Sequence, residues 1–220
     1  MTVNLLIAKP ATGKTEYCIQ KIRELHTSSR LAEAWVLLPD RLQAAAFRKR
    51  LAFAGGALRT RVGTFGDLYR HILEGAGADV PVASTPLIHT ILQDAVAELD
   101  QGGNLIHYAS LRSLPGFFTA LRDAFAELKR SLIYPEQFLK ITENDAPARQ
   151  ELARLYDLYQ ERLRKLGWAD PEGLSWLAVA ALERQPELAA PIRLLVVDGF
   201  DSFTGAQRRA LQLLACQAGE

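Results

Sequence analysis

The residues best suited to chemistry are Ala8-Lys9-Pro10-Ala11-Thr12-Gly13-Lys14-Thr15. They match the phosphate-cradling pattern G-x-x-x-x-G-K-[ST] except at its first position, where Ala8 stands. Each residue type has a physical reason. Gly13 lets the backbone turn so that successive N–H groups face one phosphate. Lys14 places a cation on the β- and γ-phosphates, and the Thr15 hydroxyl is a ligand for Mg2+. A helix opening here adds the positive end of its dipole. Gly-Lys-Thr alone is a weak signal, so context decides. Val3 to Ala8 reads as a short buried strand and Thr15 to Leu25 as a helix, which is the setting the motif requires. Pro10, Ala11, Thr12, Gly13, Lys14 and Thr15 are therefore the expected binding loop for ATP and Mg2+.

A second constellation is Leu194-Leu195-Val196-Val197-Asp198-Gly199-Phe200-Asp201. An apolar strand ending in Asp198 is the arrangement in which a carboxylate holds Mg2+ beside a P-loop. By itself it is any buried strand ending at a turn; paired with the loop it becomes a site. Thr15 and Asp198 are the expected metal-facing residues. Many P-loop ATPases place a Glu directly after this Asp to activate water, and Gly199 has no such group. Asp201 is near in sequence only. Binding is better supported than turnover, and no residue is assigned as catalytic. A third segment, Val62 to Leu68, lies where a strand gives way to a helix, and Thr64 there reads equally as a helix cap or as a ligand-facing residue. The four histidines are scattered, and Cys18 and Cys216 have neither metal nor redox spacing.

The elements that must position these residues follow from periodicity. Ala34 to Leu38, Thr60 to Gly63 and Ile192 to Val197 read as further strands. Asp40 is a natural N-cap for a helix from Arg41 to Phe53, ended by Gly55-Gly56, and Thr64 precedes another from Phe65 to Leu73. From about Ser84 to Gln185 the pattern is almost wholly helical, without a convincing strand: Pro86–Leu99, Leu114–Leu132, Pro135–Ile141, Ala148–Leu166 and Pro171–Leu182, with a last helix from about Gly205 to Ala215. The fold expected is an α/β P-loop NTPase sheet flanked by helices, with a large all-helical inserted subdomain. Residues 1–83 and 188–220 form the α/β part and 84–187 the insertion. Basic positions in the insertion, among them Lys129, alternate with acids such as Glu151 and read as solvated helix faces. Phe117, Phe118, Phe125, Tyr156, Tyr159 and Trp168 read as core.

Composition bounds the remainder. A net charge of +1 over 220 residues excludes a globally basic nucleic-acid binder but permits a local basic face. No apolar run reaches the ~20 residues of a membrane helix, and the first residues do not form a signal peptide. A cytoplasmic protein without membrane association is expected. The chain stops just after the apolar run Leu211 to Ala215, which reads as a piece of a longer protein.

The order A-x-P-A-T-G-K-T, Leu38-Pro39-Asp40, V-G-T-F-G-D-L, helical insertion, V-V-D-G-F-D-S-F-T resembles the first domain of superfamily 1 (UvrD/Rep-like) helicases. It is similar, more closely, to the N-terminal helicase-like region of the B subunit of AddAB-type ATP-dependent helicase–nucleases. The resemblance runs through the whole chain, although only the Pro10–Thr15 and Asp198 segments are specific, and it implies that Ala8 is tolerated. By that resemblance, Gly13, Lys14 and Thr15 hold the triphosphate and Mg2+, Asp198 is the second-site acid, and Thr64 links nucleotide to DNA. It further implies DNA binding in the intact protein, an A-type helicase–nuclease partner subunit, a role in DNA repair, and a nuclease domain outside this chain. Weak or absent hydrolysis is expected, because the Glu of the D-E-x-Q-D motif is replaced by Gly199. Two alternatives stay open: an active DNA-dependent ATPase or helicase, and a nonenzymatic scaffold whose P-loop is a relic. A small-molecule kinase is disfavoured for want of an acceptor site and lid.

Overall fold

The computed structural model describes residues 3–9 and 12–217. Its chain is mixed α/β, mostly helical, with a small three-stranded parallel sheet in the order β2-β1-β3. Central β1 (Glu33–Leu37) is buried at all five residues, as a strand covered on both faces must be. It pairs with β2 (Thr60–Gly63), Ala34 opposite Thr60, and with β3 (Ile192–Val197), Leu37 opposite Val197. Parallel neighbours need crossovers. The first is α2 (Arg41–Phe53), capped by Asp40, whose carboxylate accepts from Gln43 N–H at 2.8 Å and from the Gln43 amide at 3.1 Å. Gly55 and Gly56, both at positive φ, end it.

Two compact units divide the chain, one drawn from residues 1–78, 177–203 and 207–220, the other from 79–176 and 204–206. In the first, Ile19 and Ile22 of α1 (Lys14–Ser28) pack with Ala44, Phe47 and Leu51 of α2 against Val36, Leu38 and Val196. The other sheet face meets α3 (Phe65–Gly75), whose His71 ring lies 5.3 Å from Trp35. Strand Val3–Ala8, expected from its apolar run, does not form. Residues 3–8 are irregular, with Leu5 83% and Ile7 84% exposed, because no strand among the described residues offers them a ladder.

The second unit is helical: α4 (Thr85–Gln101), α5 (Pro115–Arg130), α6 (Pro135–Thr142), α7 (Pro147–Leu166) and the first part of α8 (Pro171–Arg184). Phe117, Phe118, Phe125, Tyr156 and Tyr159 are its buried core, with Trp168 packed against it. Two charges expected on solvated faces are buried instead. Lys129 is wholly enclosed, its ammonium 2.6 Å from Asp170 Oδ2 and over the rings of Tyr159 and Trp176 at 5.0 and 5.2 Å. Burial pushes that ammonium below its usual pKa range against the pull of Asp170. Asp170 also accepts from Tyr159 Oη and Gly173 N–H. Glu151 accepts the backbone N–H groups of Ile106 (2.9 Å), His107 and Tyr108 (3.1 Å), fixing the loop before α5. Periodicity cannot reveal either residue, since each occupies an ordinary amphipathic position and is paired by a segment distant in sequence.

Breaking one partner of a buried pair leaves the other charge uncompensated. Lys129→Met is therefore expected to cost about 3–5 kcal/mol of unfolding free energy, and adding Asp170→Asn to recover part of it, as read by denaturant unfolding. A double variant no better than the single one counts against the pairing. Burial works against ionisation of Glu151, but the three N–H groups outweigh it and hold its carboxyl below the usual range. Its stabilisation is thus present above the unfolded carboxylate value of about 4.3 and lost as pH falls through the lower folded value. Glu151→Gln is expected to reduce the acid dependence of stability in that window; an unaltered acid limb refutes it.

Candidate functional site

Parallel pairing brings the carboxyl ends of β1, β2 and β3 to one edge of the sheet; Asp198 leaves β3 there, and Thr15 reaches it from the start of α1. Pro10 and Ala11 lie outside the described residues. Gly13 takes a left-handed conformation, φ 88° and ψ 15°, and α1 begins at the next residue. The geometry requires glycine, because a Cβ strongly disfavours this region. The first-turn N–H groups of α1 have no partners within the helix and face out of its N-terminus.

The loop before α1 is tied to itself. Thr12 Oγ1 donates to the Lys9 carbonyl at 2.7 Å, and Lys14 Nζ donates to the carbonyls of Ala8 at 2.6 Å and Lys9 at 3.1 Å. Thr15 Oγ1 donates to Asp198 Oδ2 at 3.3 Å, joining residues 183 apart in sequence. Asp198 is in turn held by its N–H, which donates to the Leu37 carbonyl at 3.1 Å as β3 ends. Burial first and the Asp198 charge second push the Cys18 thiol up.

These groups fit a magnesium triphosphate. The Thr15 hydroxyl and the Asp198 carboxylate meet at the N-terminus of α1, while the Lys14 ammonium is turned back onto the Ala8 and Lys9 carbonyls. Gly13, Lys14 and Thr15 would hold the phosphates, and Thr15 with Asp198 the ion. The metal would supply charge neutralisation at the phosphates.

Gly199, the next residue, is left-handed at φ 81°. A Cβ built there meets Gln43 Oε1 at 2.8 Å and Pro39 Cδ at 3.4 Å, so the turn after Asp198 rests on the start of α2. Asp201 is exposed and forms no part of the Thr15–Asp198 contact. Phe200 and Phe203 instead fasten the loop to Phe65, with ring centroids 5.4 and 6.3 Å from it. Motif reasoning misses that aromatic group, although F-x-x-F after the Asp, with a Phe opening α3, is its signal.

Thr64 serves as the N-cap of α3. Asp67 Oδ2 accepts both its N–H and its hydroxyl at 2.9 Å. Burial opposes ionisation of Asp67, yet these bonds and the Arg70 and Arg41 charges keep its carboxyl below the usual range. The cap role is therefore realised. Among the described residues no cluster of three His, Cys, Asp or Glu side chains could hold a metal, and no helix is long and apolar enough to cross a membrane.

The Cys18 environment offers a direct check on this geometry. With Cys216 replaced by serine, Asp198→Asn is expected to lower the Cys18 thiol pKa and speed its alkylation at pH 8. An unchanged rate means that Asp198 does not face this side of α1.

Comparison with known proteins places nearly the whole chain in one family. A family model described as "ADDB, N-terminal" matches residues 5–220. The chain is 25% identical over 213 residues to the B subunit of an ATP-dependent helicase/deoxyribonuclease of Acetivibrio thermocellus, covering 93% of this chain and 18% of that protein. Proteins with the same description in Moorella thermoacetica and Desulforudis audaxviator are 27% and 28% identical, over 99% and 97% of this chain and 20% and 19% of theirs. The chain thus spans about a fifth of the length of these relatives.

Proposed function

The chain belongs to the ADDB N-terminal family, and from that membership we propose that it is the helicase-like N-terminal part of the B subunit of an ATP-dependent helicase–nuclease. In this reading residues 1–83 and 188–220 form a P-loop domain of UvrD/Rep type, and 84–187 are its helical insertion. Pro10 to Thr15 and Asp198 bind ATP with Mg2+, with weak or no hydrolysis by this chain alone. DNA binding, an A-type partner subunit, a cytoplasmic setting and a role in DNA repair belong to the intact protein. The relatives' shared description, as B subunits of an ATP-dependent helicase/deoxyribonuclease, motivates these last assignments.

The observation that carries the nucleotide reading is the 3.3 Å contact between Thr15 and Asp198. Two segments with separate reasons to hold a magnesium phosphate meet. Turnover lacks comparable support, because a water must be activated or oriented at the γ-phosphate, and no acid adjoins Asp198 on its strand. One observation favours the relic-loop reading: Lys14 Nζ is already engaged by two carbonyls of its own loop. Phosphate must displace them.

Calorimetry at millimolar ATP with Mg2+ decides between the two readings. Binding is expected in the unaltered chain and at least tenfold weaker in Lys14→Ala, a loss of about 1.4 kcal/mol or more. Absence of any binding favours the scaffold. Turnover comparable to a working motor, abolished by Lys14→Ala, overturns the claim of weak hydrolysis.

A further inference from the structure

β2 lies at one edge of the sheet, and its outer backbone groups have no ladder. Ala34 N–H donates to the Arg59 carbonyl and Leu38 N–H to the Gly63 carbonyl, so Arg59, Arg61 and Gly63 turn their backbone toward β1. By alternation the N–H and C=O groups of Thr60 and Val62 point the other way, where no strand among the described residues meets them. They border an open groove of about 420 Å³. Arg48 of α2 lines it on one side, and Asp67, Arg70, His71 and Glu74 of α3 line it on the other.

The charges around this edge differ in what already satisfies them. Asp67 is engaged by the Thr64 cap and by Arg70, 2.8 Å away. Arg61 is half exposed, 3.5 Å from Glu33 and above the Trp35 ring at 5.9 Å. Arg48 has no acidic partner among the described residues, and its Nε donates to the Ala44 carbonyl of its own helix at 3.3 Å. α2 carries Arg41, Arg48, Lys49 and Arg50 and not one acid. The groove therefore offers arginines with capacity to spare beside a row of alternating donors and acceptors.

Such an edge suits an extended polypeptide, whose own N–H and C=O groups alternate as those of Thr60 and Val62 do. A nucleic-acid backbone presents phosphate acceptors, and these would face the two carbonyls and the carboxylates of Asp67 and Glu74. The arginines add selectivity. They set two copies of this edge against each other, since like charges across a ladder repel, whereas a strand bearing carboxylates is drawn in. We propose that the outer edge of β2 docks an extended acidic segment of another polypeptide, which joins the sheet as a fourth strand and sets carboxylates against Arg48 and Arg61. The Thr15–Asp198 contact lies at the end of β3, on the far side of β1, so this docking does not rest on the nucleotide reading.

The test uses the 220-residue chain and a short, end-blocked peptide of alternating glutamate and valine with a fluorescent label. Anisotropy is expected to show saturable binding at or below millimolar peptide, and amide exchange at Thr60 and Val62 to slow about tenfold or more in its presence. Arg48→Glu is expected to weaken binding about tenfold or more without lowering the melting temperature, because Arg48 has no acidic partner to lose. The same peptide N-methylated at alternate residues keeps its charge but not its edge hydrogen bonds, and it is expected not to bind; that arm needs no protein variant. Absence of binding at millimolar peptide overturns the proposal, as does equal binding of the N-methylated peptide or of its lysine counterpart. Equal protection of Thr60 and Val62 by a short oligothymidylate marks a phosphate site instead, and protection that rises with protein concentration alone marks pairing of two copies; either result also overturns it. Failure of ATP binding leaves all these readouts intact and tells against the nucleotide reading only.

Discussion

Parallel pairing about β1 is the constraint from which the candidate site follows. A parallel ladder forces every strand to end on the same side. Leu38-Pro39-Asp40, Thr64 and Asp198, which leave β1, β2 and β3, are therefore neighbours although the longest separation, Asp40 to Asp198, spans most of the chain. β1 is buried at every position because α1 and α2 cover one face and α3 the other. Loss of its packing would scatter all three ends together.

Much of this was legible in the sequence, and for identifiable reasons. β3 has the bounds its apolar run suggests, since a buried parallel strand is a continuous run set off by turn residues, and β2 keeps its expected bounds although Val62 is its one aliphatic residue. Asp40 and the two glycines after Phe53 marked α2 by local chemistry that tertiary context does not override. The helices of the insertion began at prolines that suit a first turn. What escaped were contacts set by partners far along the chain. Lys129 and Glu151 have the same neighbours in sequence as any surface charge. Only the approach of Asp170, or of the loop from Ile106 to Tyr108, makes them internal. The strand expected at Val3–Ala8 failed for a related reason: propensity supplies a candidate, whereas a ladder requires a partner.

The two units are held by different physics. The α/β unit rests on aliphatic packing of Ile19, Ile22, Val36, Leu51 and their neighbours around a ladder of backbone bonds. The helical unit places an ion pair among aromatic rings, with Phe125 stacked on Tyr156 at 4.9 Å and Lys129 beside Tyr159 and Trp176. Aliphatic packing tolerates swaps of similar volume, while a buried ion pair tolerates the loss of neither member. Sequence variation compatible with each unit is correspondingly different.

The turn at Gly199 bears on what a substitution after Asp198 could supply. A side chain there would sit on a left-handed backbone at a cost of about 1–2 kcal/mol, and it would set off toward Gln43 and Pro39. The absence of an acid after Asp198 is therefore written into the path of the main chain as well as into one codon. Exchanging glycine for glutamate would supply the carboxyl without the route that aims it. A carboxyl aimed from this position would require the turn to be rebuilt first.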